Sequence, residues 1–483
     1  MTTQPCRQNE FFTEEVDWPD VQALVRFGFA QQPASMVLWV TFTDATTSDS
    51  CRRWLAQQIA AVTPAVKSAV DAEQVLLNMA FSPAGLAKFG LPAASLNTFP
   101  MEFSEGMHSQ RGMNIFRGDP LADHNENHDA TMPGRDDSAH LVLLLYARQP
   151  ASLQDYAAAL EHSLQGLATL AVQATELTEH EHFGYRDGLS NPVIRGARPT
   201  IKPDAVEPGG LLAPGEFLFG YADERGLLAV SPVVPAASDP LDLLPATVAC
   251  CSDTGVVEYC KDLGRNGSFL ALLQLQQDVE GFRTYVETTA TEANVEKLYA
   301  QLMGRWRGGA PLTTSPNISG HEGDGSARRG YNNNFEYADT DANGDRCPVG
   351  AHIRRSNPRD TLDKDRALSW RFANRHRILR RGRLYGKATD QECGMLFMCL
   401  NISPARQFEH IQRTWLDSPR FASHGETDPV VGRRGLGNGE FNGCPVQPSQ
   451  RLRKLPRFVT LRAGGYFFLP SLRALRMLAS AQP

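Results

Sequence analysis

The feature that most constrains the fold is a strand-then-helix pattern that recurs four times along the 483 residues. In each copy a short apolar segment rich in Leu, Val and Phe precedes a stretch whose apolar residues return every three or four positions. These are the signatures of a buried strand and an amphipathic helix. The first half holds Met36–Phe42 before Ser48–Val62 and Leu141–Ala147 before Ser152–Ala171, where Leu160, Leu164, Leu167 and Leu170 mark the helical stripe. The second half holds Phe269–Leu275 before Val279–Met303 and Met395–Leu400 before Arg406–Leu416. Two units per half predict a duplicated α+β architecture: two ferredoxin-like domains with antiparallel sheets and peripheral helices. The chain also exceeds the usual size of one compact domain. The Pro/Gly/Ala-rich stretch Ala197–Gly215 places the boundary near residue 205, giving domains 1–205 and 206–483.

Composition bears on partners. A formal net charge of -6 excludes the basic excess that a nucleic-acid or anionic-membrane surface requires, so the expected partners are small molecules. No run approaches the roughly 18 apolar residues of a membrane span, and Met1–Trp18 holds acidic residues and no apolar stretch of signal-peptide length. The expectation is a soluble, cytoplasmic protein, with export of a longer precursor left open. Nine cysteines lacking regular C-x-x-C pairs read as buried free thiols in a reducing compartment. Nothing in the sequence marks an oligomeric state.

Three polar stretches carry candidate chemistry. A lone histidine is by default solvated or hydrogen-bonded, but His352 stands in Gly350-Ala-His-Ile-Arg-Arg-Ser-Asn-Pro-Arg359. Small residues before it would let a flat group approach, and arginines after it offer charge to an anionic one. A haem presents both needs, since its iron takes an axial imidazole and its propionates take Arg. Asp187 lies between glycines in Phe183-Gly-Tyr-Arg-Asp-Gly-Leu-Ser-Asn-Pro192, a tight turn that would bring a carboxylate close to a ligand; a plain turn aspartate is the alternative. Arg375-His-Arg-Ile-Leu-Arg-Arg-Gly-Arg-Leu-Tyr-Gly386 is too basic for an ordinary buried strand, and its plain alternative is a solvated edge.

At these stretches together the chain resembles the dye-decolorizing peroxidase family. The G-x-x-D-G motif stands as Gly184 to Gly188, the haem-ligand motif as Cys347 to Arg359, and the distal-arginine motif as Ile378-Leu379-Arg380. Further similarity runs through Asn78–Leu86, Gly215–Tyr221, Arg265–Phe269, Met303–Trp306, Gln407–Gln412 and Gly465–Pro470, and the length fits the larger, C/D-like class. The resemblance implies two ferredoxin-like halves with haem b (iron protoporphyrin IX) held mainly by the second. It implies a peroxidase that reduces hydrogen peroxide and oxidises dyes, phenols or other small aromatic one-electron donors. His352 matches the iron ligand, Asp187 the distal acid-base carboxylate, Arg380 the distal arginine and Arg354 a propionate partner. Leu396 and Met398, alternate residues of one strand, are expected to narrow the distal pocket, core packing being the alternative.

Two departures stand out. Gly382 occupies the position where some classes carry an asparagine, so no distal amide is assigned, and Ser403 falls where relatives place an aspartate, which leaves the proximal partner of His352 unassigned. Because a carboxylate stays ionised in moderately acid solution where an imidazole is protonated, the resemblance also implies an acidic optimum for dye oxidation. A large dye would pass electrons through a surface residue such as Trp18, Trp306, Trp370, Trp415 or a tyrosine. The alternatives to this activity are a chlorite-type haem enzyme and a haem carrier or sensor.

Two patterns are set aside. Asp339-Thr-Asp-Ala-Asn-Gly-Asp345 opens like a calcium loop but has Gly350 where the bidentate Glu belongs, and reads as a turn. His124 and His128 have helical metal-ligand spacing inside a loop composition, which does not support a metal site.

Overall fold

The structure is a computed structural model and describes residues 15–72, 74–107, 109, 138–198, 209–249, 258–317, 333–421, 425–434, 437, 439–443 and 451–480. The expected boundary near residue 205, His124, His128, Cys250 and Cys251 lie outside these residues.

The first half contributes strands β1 (Ala34–Phe42), β2 (Val75–Phe81), β3 (Leu141–Ala147) and β4 (Ala168–Glu176), with helices α1 (Ser48–Gln58) after β1 and α2 (Pro150–Ser163) after β3. The second half contributes β5 (Ser268–Gln277), the split pair β6 (Leu379–Arg380) and β7 (Arg383–Tyr385), β8 (Gly394–Asn401) and β9 (Val459–Leu469). Its helices are α3 (Val279–Thr289), α4 (Val295–Met303), α5 (His352–Ser356) and α6 (Leu472–Ser480). Within the first half the spatial order is β2-β3-β1-β4, and within the second it is β7-β8-β5-β9, with β6 also on β8. Each half thus has the second, third, first, fourth order of a ferredoxin-like sheet, all pairs antiparallel, and the expected duplication is present. Single bridges, Phe468 to Phe81 and Leu384 to Glu176, join the two sheets into one closed ring.

Closure explains why the strands are apolar on both faces. Val37, Trp39, Leu144, Leu270, Leu272, Leu396, Met398 and Phe467 pack together inside the ring. The alternate residues, such as Leu38, Val40, Leu143, Phe269 and Leu273, pack outward against Trp54 and Leu55 of α1, Leu153 and Leu160 of α2, and Leu475 and Leu478 of α6.

Two expectations need correction. The helix read as far as Ala171 ends at Ser163, and residues 168–176 form β4, paired with β1 along its whole length. The leucine spacing runs on past Gly166, but that residue has φ +76°, which stops the helix, and the backbone then finds its partners on β1. The reading of free thiols holds for Cys51, Cys347, Cys393 and Cys399, all buried, but Cys260 is disulfide-bonded. Among the described residues no helix is long and apolar enough to cross a membrane.

Candidate active site

Between the outer face of the second-half sheet and the helices over it lies a cavity of about 300 Å³, within the range of small-molecule and cofactor sites. Leu273 and Leu275 of β5, Met395 and Phe397 of β8, and Val459 and Leu461 of β9 form its floor. Met303, Ile353, Phe408, Ile411, Leu416 and Val430 complete an apolar slot.

His352 lines this slot as the first residue of α5. Its Nδ1–H donates to Oδ2 of Asp428 at 2.9 Å. The Asp428 carboxylate is fully buried, and its Oδ1 accepts from the amides of Val430 and Val431 at 2.9 and 2.8 Å. Burial alone would raise its pKa; the His352 ring, the Val431 amide and Arg355 outweigh burial and hold the carboxyl below its ordinary value. An ionised carboxylate only accepts, so Nδ1 keeps its proton and Nε2 is the ring atom with a lone pair for a ligand. Asp428 is the proximal partner that sequence reading left unassigned. Ser403 instead opens the π-helical segment Ala405–Glu409, its amide donating to Gln407.

Asp187 and Arg380 reach the same cavity from other elements. Gly184 and Gly188 have φ +92° and +76°, a region where a side chain is strained, so the Asp187 turn requires both. Oδ1 of Asp187 accepts from the Gly188 amide at 2.6 Å and from Nη1 of Arg380 at 2.8 Å. Each side chain is about a third exposed, at 31% and 32%. Asn191, in the same turn, accepts from the Arg380 amide at 2.9 Å and donates to its carbonyl at 3.2 Å, fixing the two-residue β6. A wider cavity of about 970 Å³ also borders Asp187 and Arg380, with Arg26, Lys67, Arg186 and Arg381 on its walls.

The structure therefore gathers His352, Asp187 and Arg380 around one cavity and separates the other expected residues from it. Leu396 and Met398 point into the closed ring; their neighbours Met395 and Phe397 line the slot. The strand's period was readable but its phase was not, since both faces are apolar. Arg354 is buried away from the slot, donating to Asp341, to the Cys347 carbonyl and to the Ala342 carbonyl and lying over the Tyr337 ring at 4.3 Å. Arg355 and Arg359 likewise hold the carbonyls of Trp415, Ser418, Asn333 and Phe335. The cations on the slot are Arg305, Arg377, Arg433 and Arg457, besides Arg186 and Arg380. Gly350 makes room for a protein group, since a Cβ there would lie 2.1 Å from Oε1 of Glu426. Asp341, in the calcium-like stretch, accepts from the amides of Arg346 and Cys347. Of the tryptophans named as relays, Trp306, Trp370 and Trp415 are buried. A flat apolar cofactor with an open metal position and anionic edges suits this donor set.

No family model matches the chain. A dye-decolorizing peroxidase of Mycetinis scorodonius is 30% identical over 351 residues, covering 66% of this chain and 60% of the relative. One from Auricularia auricula-judae is 25% identical over 492 residues, covering 94% and 86%. The chain belongs to the dye-decolorizing peroxidase family. It spans less than two thirds of the Mycetinis relatives' length, 60% and 56% for the two matched. The family fold recurs in a solved fungal structure from Auricularia auricula-judae, with a TM-score of 0.76 at 21% identity, covering 97% of this chain and 100% of that one. A solved dye-decolorizing peroxidase in complex with 2,6-dimethoxyphenol gives 0.74 at 22% identity, covering 96% and 100%.

Proposed function

We propose that this chain is a haem peroxidase that reduces hydrogen peroxide and oxidises dyes, phenols or other small one-electron donors, with haem b as its cofactor. One observation carries the reading: a histidine buttressed by a buried carboxylate and a carboxylate–guanidinium pair border a single apolar cavity. The residues fit haem. His352 Nε2 would take the iron, the apolar slot would take the ring, and Arg377, Arg433 and Arg457 put positive charge on the slot wall where propionates would lie. Arg377 also holds the Gly209 and Ser190 carbonyls, and Arg433 pairs with Asp417. Bound there, haem supplies an iron site for peroxide and the capacity to store two oxidising equivalents.

The chain's own residues handle protons and charge. Among the described residues Asp187 Oδ2 has no hydrogen-bond partner, so it is the atom that takes a proton from the nearer oxygen of hydrogen peroxide and returns it to the farther one, which leaves as water. The Arg380 guanidinium stabilises the negative charge that grows on the leaving oxygen. Asp428 holds the His352 ring in one tautomer and makes it a stronger donor. The acidic optimum for dye oxidation belongs to this proposal.

Absorption spectroscopy of the protein titrated with haem tests the reading. Stoichiometric binding with a Soret band is expected, and His352→Ala should bind weakly and heterogeneously. A His352→Ala protein with stoichiometric haem and an unchanged spectrum contradicts the ligand assignment.

A further inference from the structure

The turn that carries Asp187 is closed by a second carboxylate, which the proposed chemistry does not use. Glu181 lines the cavity six residues before Asp187, and its two oxygens are spread over three donors. Oε1 accepts from the Tyr185 amide at 2.9 Å, and Oε2 accepts from the Phe183 amide at 3.0 Å and from Nε2 of Gln277 at 2.7 Å. The main chain repeats the closure: the Glu181 amide donates to the Tyr185 carbonyl at 2.9 Å and the Gly184 amide to the Glu181 carbonyl at 2.7 Å. Gln277 is the last residue of β5, and its own amide donates to the Cys393 carbonyl at 2.9 Å. Glu181 thus ties the glycine turn both to itself and to the sheet floor of the cavity.

Asp187 has little of its own to hold it, since among the described residues its side chain bonds only its neighbour's amide and Arg380. The later part of the turn is fixed by Arg377, donating to the Ser190 carbonyl at 2.7 Å, and by Asn191 on β6. The earlier part is fixed by Glu181, by the Tyr185 hydroxyl on the Tyr299 carbonyl at 2.7 Å and by the Arg186 amide on the Arg307 carbonyl at 3.0 Å. Of these earlier anchors only the Glu181 side chain gathers three donors, the Phe183 and Tyr185 amides and Gln277, onto one group. A misplacement of about 1 Å at an acid-base group costs on the order of 100-fold in rate.

We propose that Glu181 is a positioning residue for the peroxide chemistry: its carboxylate, shared among Phe183, Tyr185 and Gln277, fixes the turn so that Asp187 meets Arg380. The inference rests on the reading of Asp187 as the acid-base group. It gives Glu181 no contact with peroxide. A glutamine in its place offers one acceptor oxygen and cannot serve both sides of the clasp; an alanine serves neither.

The test uses the haem-loaded protein as wild type, Glu181→Gln, Glu181→Ala and Asp187→Asn. Peroxide reactivity is followed by stopped-flow absorbance, and amide hydrogen exchange is followed over residues 181–191. Both Glu181 variants should keep haem with the wild-type Soret position and exchange faster in the turn. The rate constant for peroxide should fall about 10- to 100-fold in Glu181→Ala and less in Glu181→Gln, with the KM for 2,6-dimethoxyphenol unchanged. If the alanine variant does not fold, the glutamine variant carries the same comparison. Slow Asp187→Asn beside wild-type rates in the Glu181 variants overturns the inference. So do slow Glu181 variants whose turn exchanges as in wild type, which would give Glu181 a direct part in proton transfer. A wild-type rate in Asp187→Asn instead removes the reading underneath.

Discussion

At the scale of residues, the chain separates groups that its sequence presents side by side. Cys347 to Arg359 reads as one ligand motif, yet only His352, Ile353, Ser356 and Asn357 of it border the slot, while its arginines hold loop carbonyls and Asp341. Asp187 and Arg380 were legible because the family resemblance picks them out of a glycine turn and a basic run that, on their own, also read as a plain turn and a solvated edge. Asp428 was not: it lies 76 residues from His352, and its only local cue is a turn-forming Asp-Pro pair. Near it, Glu426 is fully buried with Oε1 unpartnered, and burial pushes its carboxyl up to about 7, against the lowering effects of the Asn442 amide, Arg355 and Arg451. Its folded pKa therefore lies above the ordinary value, so the folded protein holds a proton that the unfolded chain releases, and wild type loses stability as pH rises through about 7. Glu426→Gln cannot ionise and lacks that loss. Thermal unfolding from pH 5 to pH 8 should show the variant gaining on wild type with rising pH, by on the order of 3 kcal/mol. Parallel pH curves would contradict this.

At the scale of elements, the same strand serves two cores. Leu396 and Met398 of β8 face the ring interior, while Met395 and Phe397 face the slot. Sequence periodicity gives the alternation, but a strand covered on both faces carries no polar side to set its phase. The difference is measurable. Met398→Ala should cost about 2–5 kcal/mol in denaturant unfolding and leave the Soret band and donor kinetics as in wild type. Phe397→Ala should do the reverse to the spectrum, altering the Soret band and the peroxide rate. A Met398→Ala variant with a shifted Soret band would put the slot on the other face. The helix that stops at Gly166 belongs to the same scale: leucine spacing extends through it, and a left-handed glycine with a waiting strand edge on β1 decides the matter.

At the scale of the whole molecule, the duplication was readable because each unit repeats a local pattern, whereas the closure of the ring was not. The two sheets meet through one bridge on each side, Phe468 with Phe81 and Leu384 with Glu176, pairs that no local periodicity could announce. Ring and helices together set the slot where His352 comes from the start of α5 and the Asp187–Arg380 pair from a loop and a strand end. In the proposed reading this arrangement makes haem react with peroxide through Asp187. The most direct measurement is peroxide-driven oxidation of 2,6-dimethoxyphenol by haem-loaded wild type, by haem-loaded Asp187→Asn and by free haem at equal haem concentration. Wild type should turn over far faster than free haem, with Asp187→Asn losing most of that rate at every pH while keeping its haem; a wild-type rate no higher than that of free haem would contradict the account.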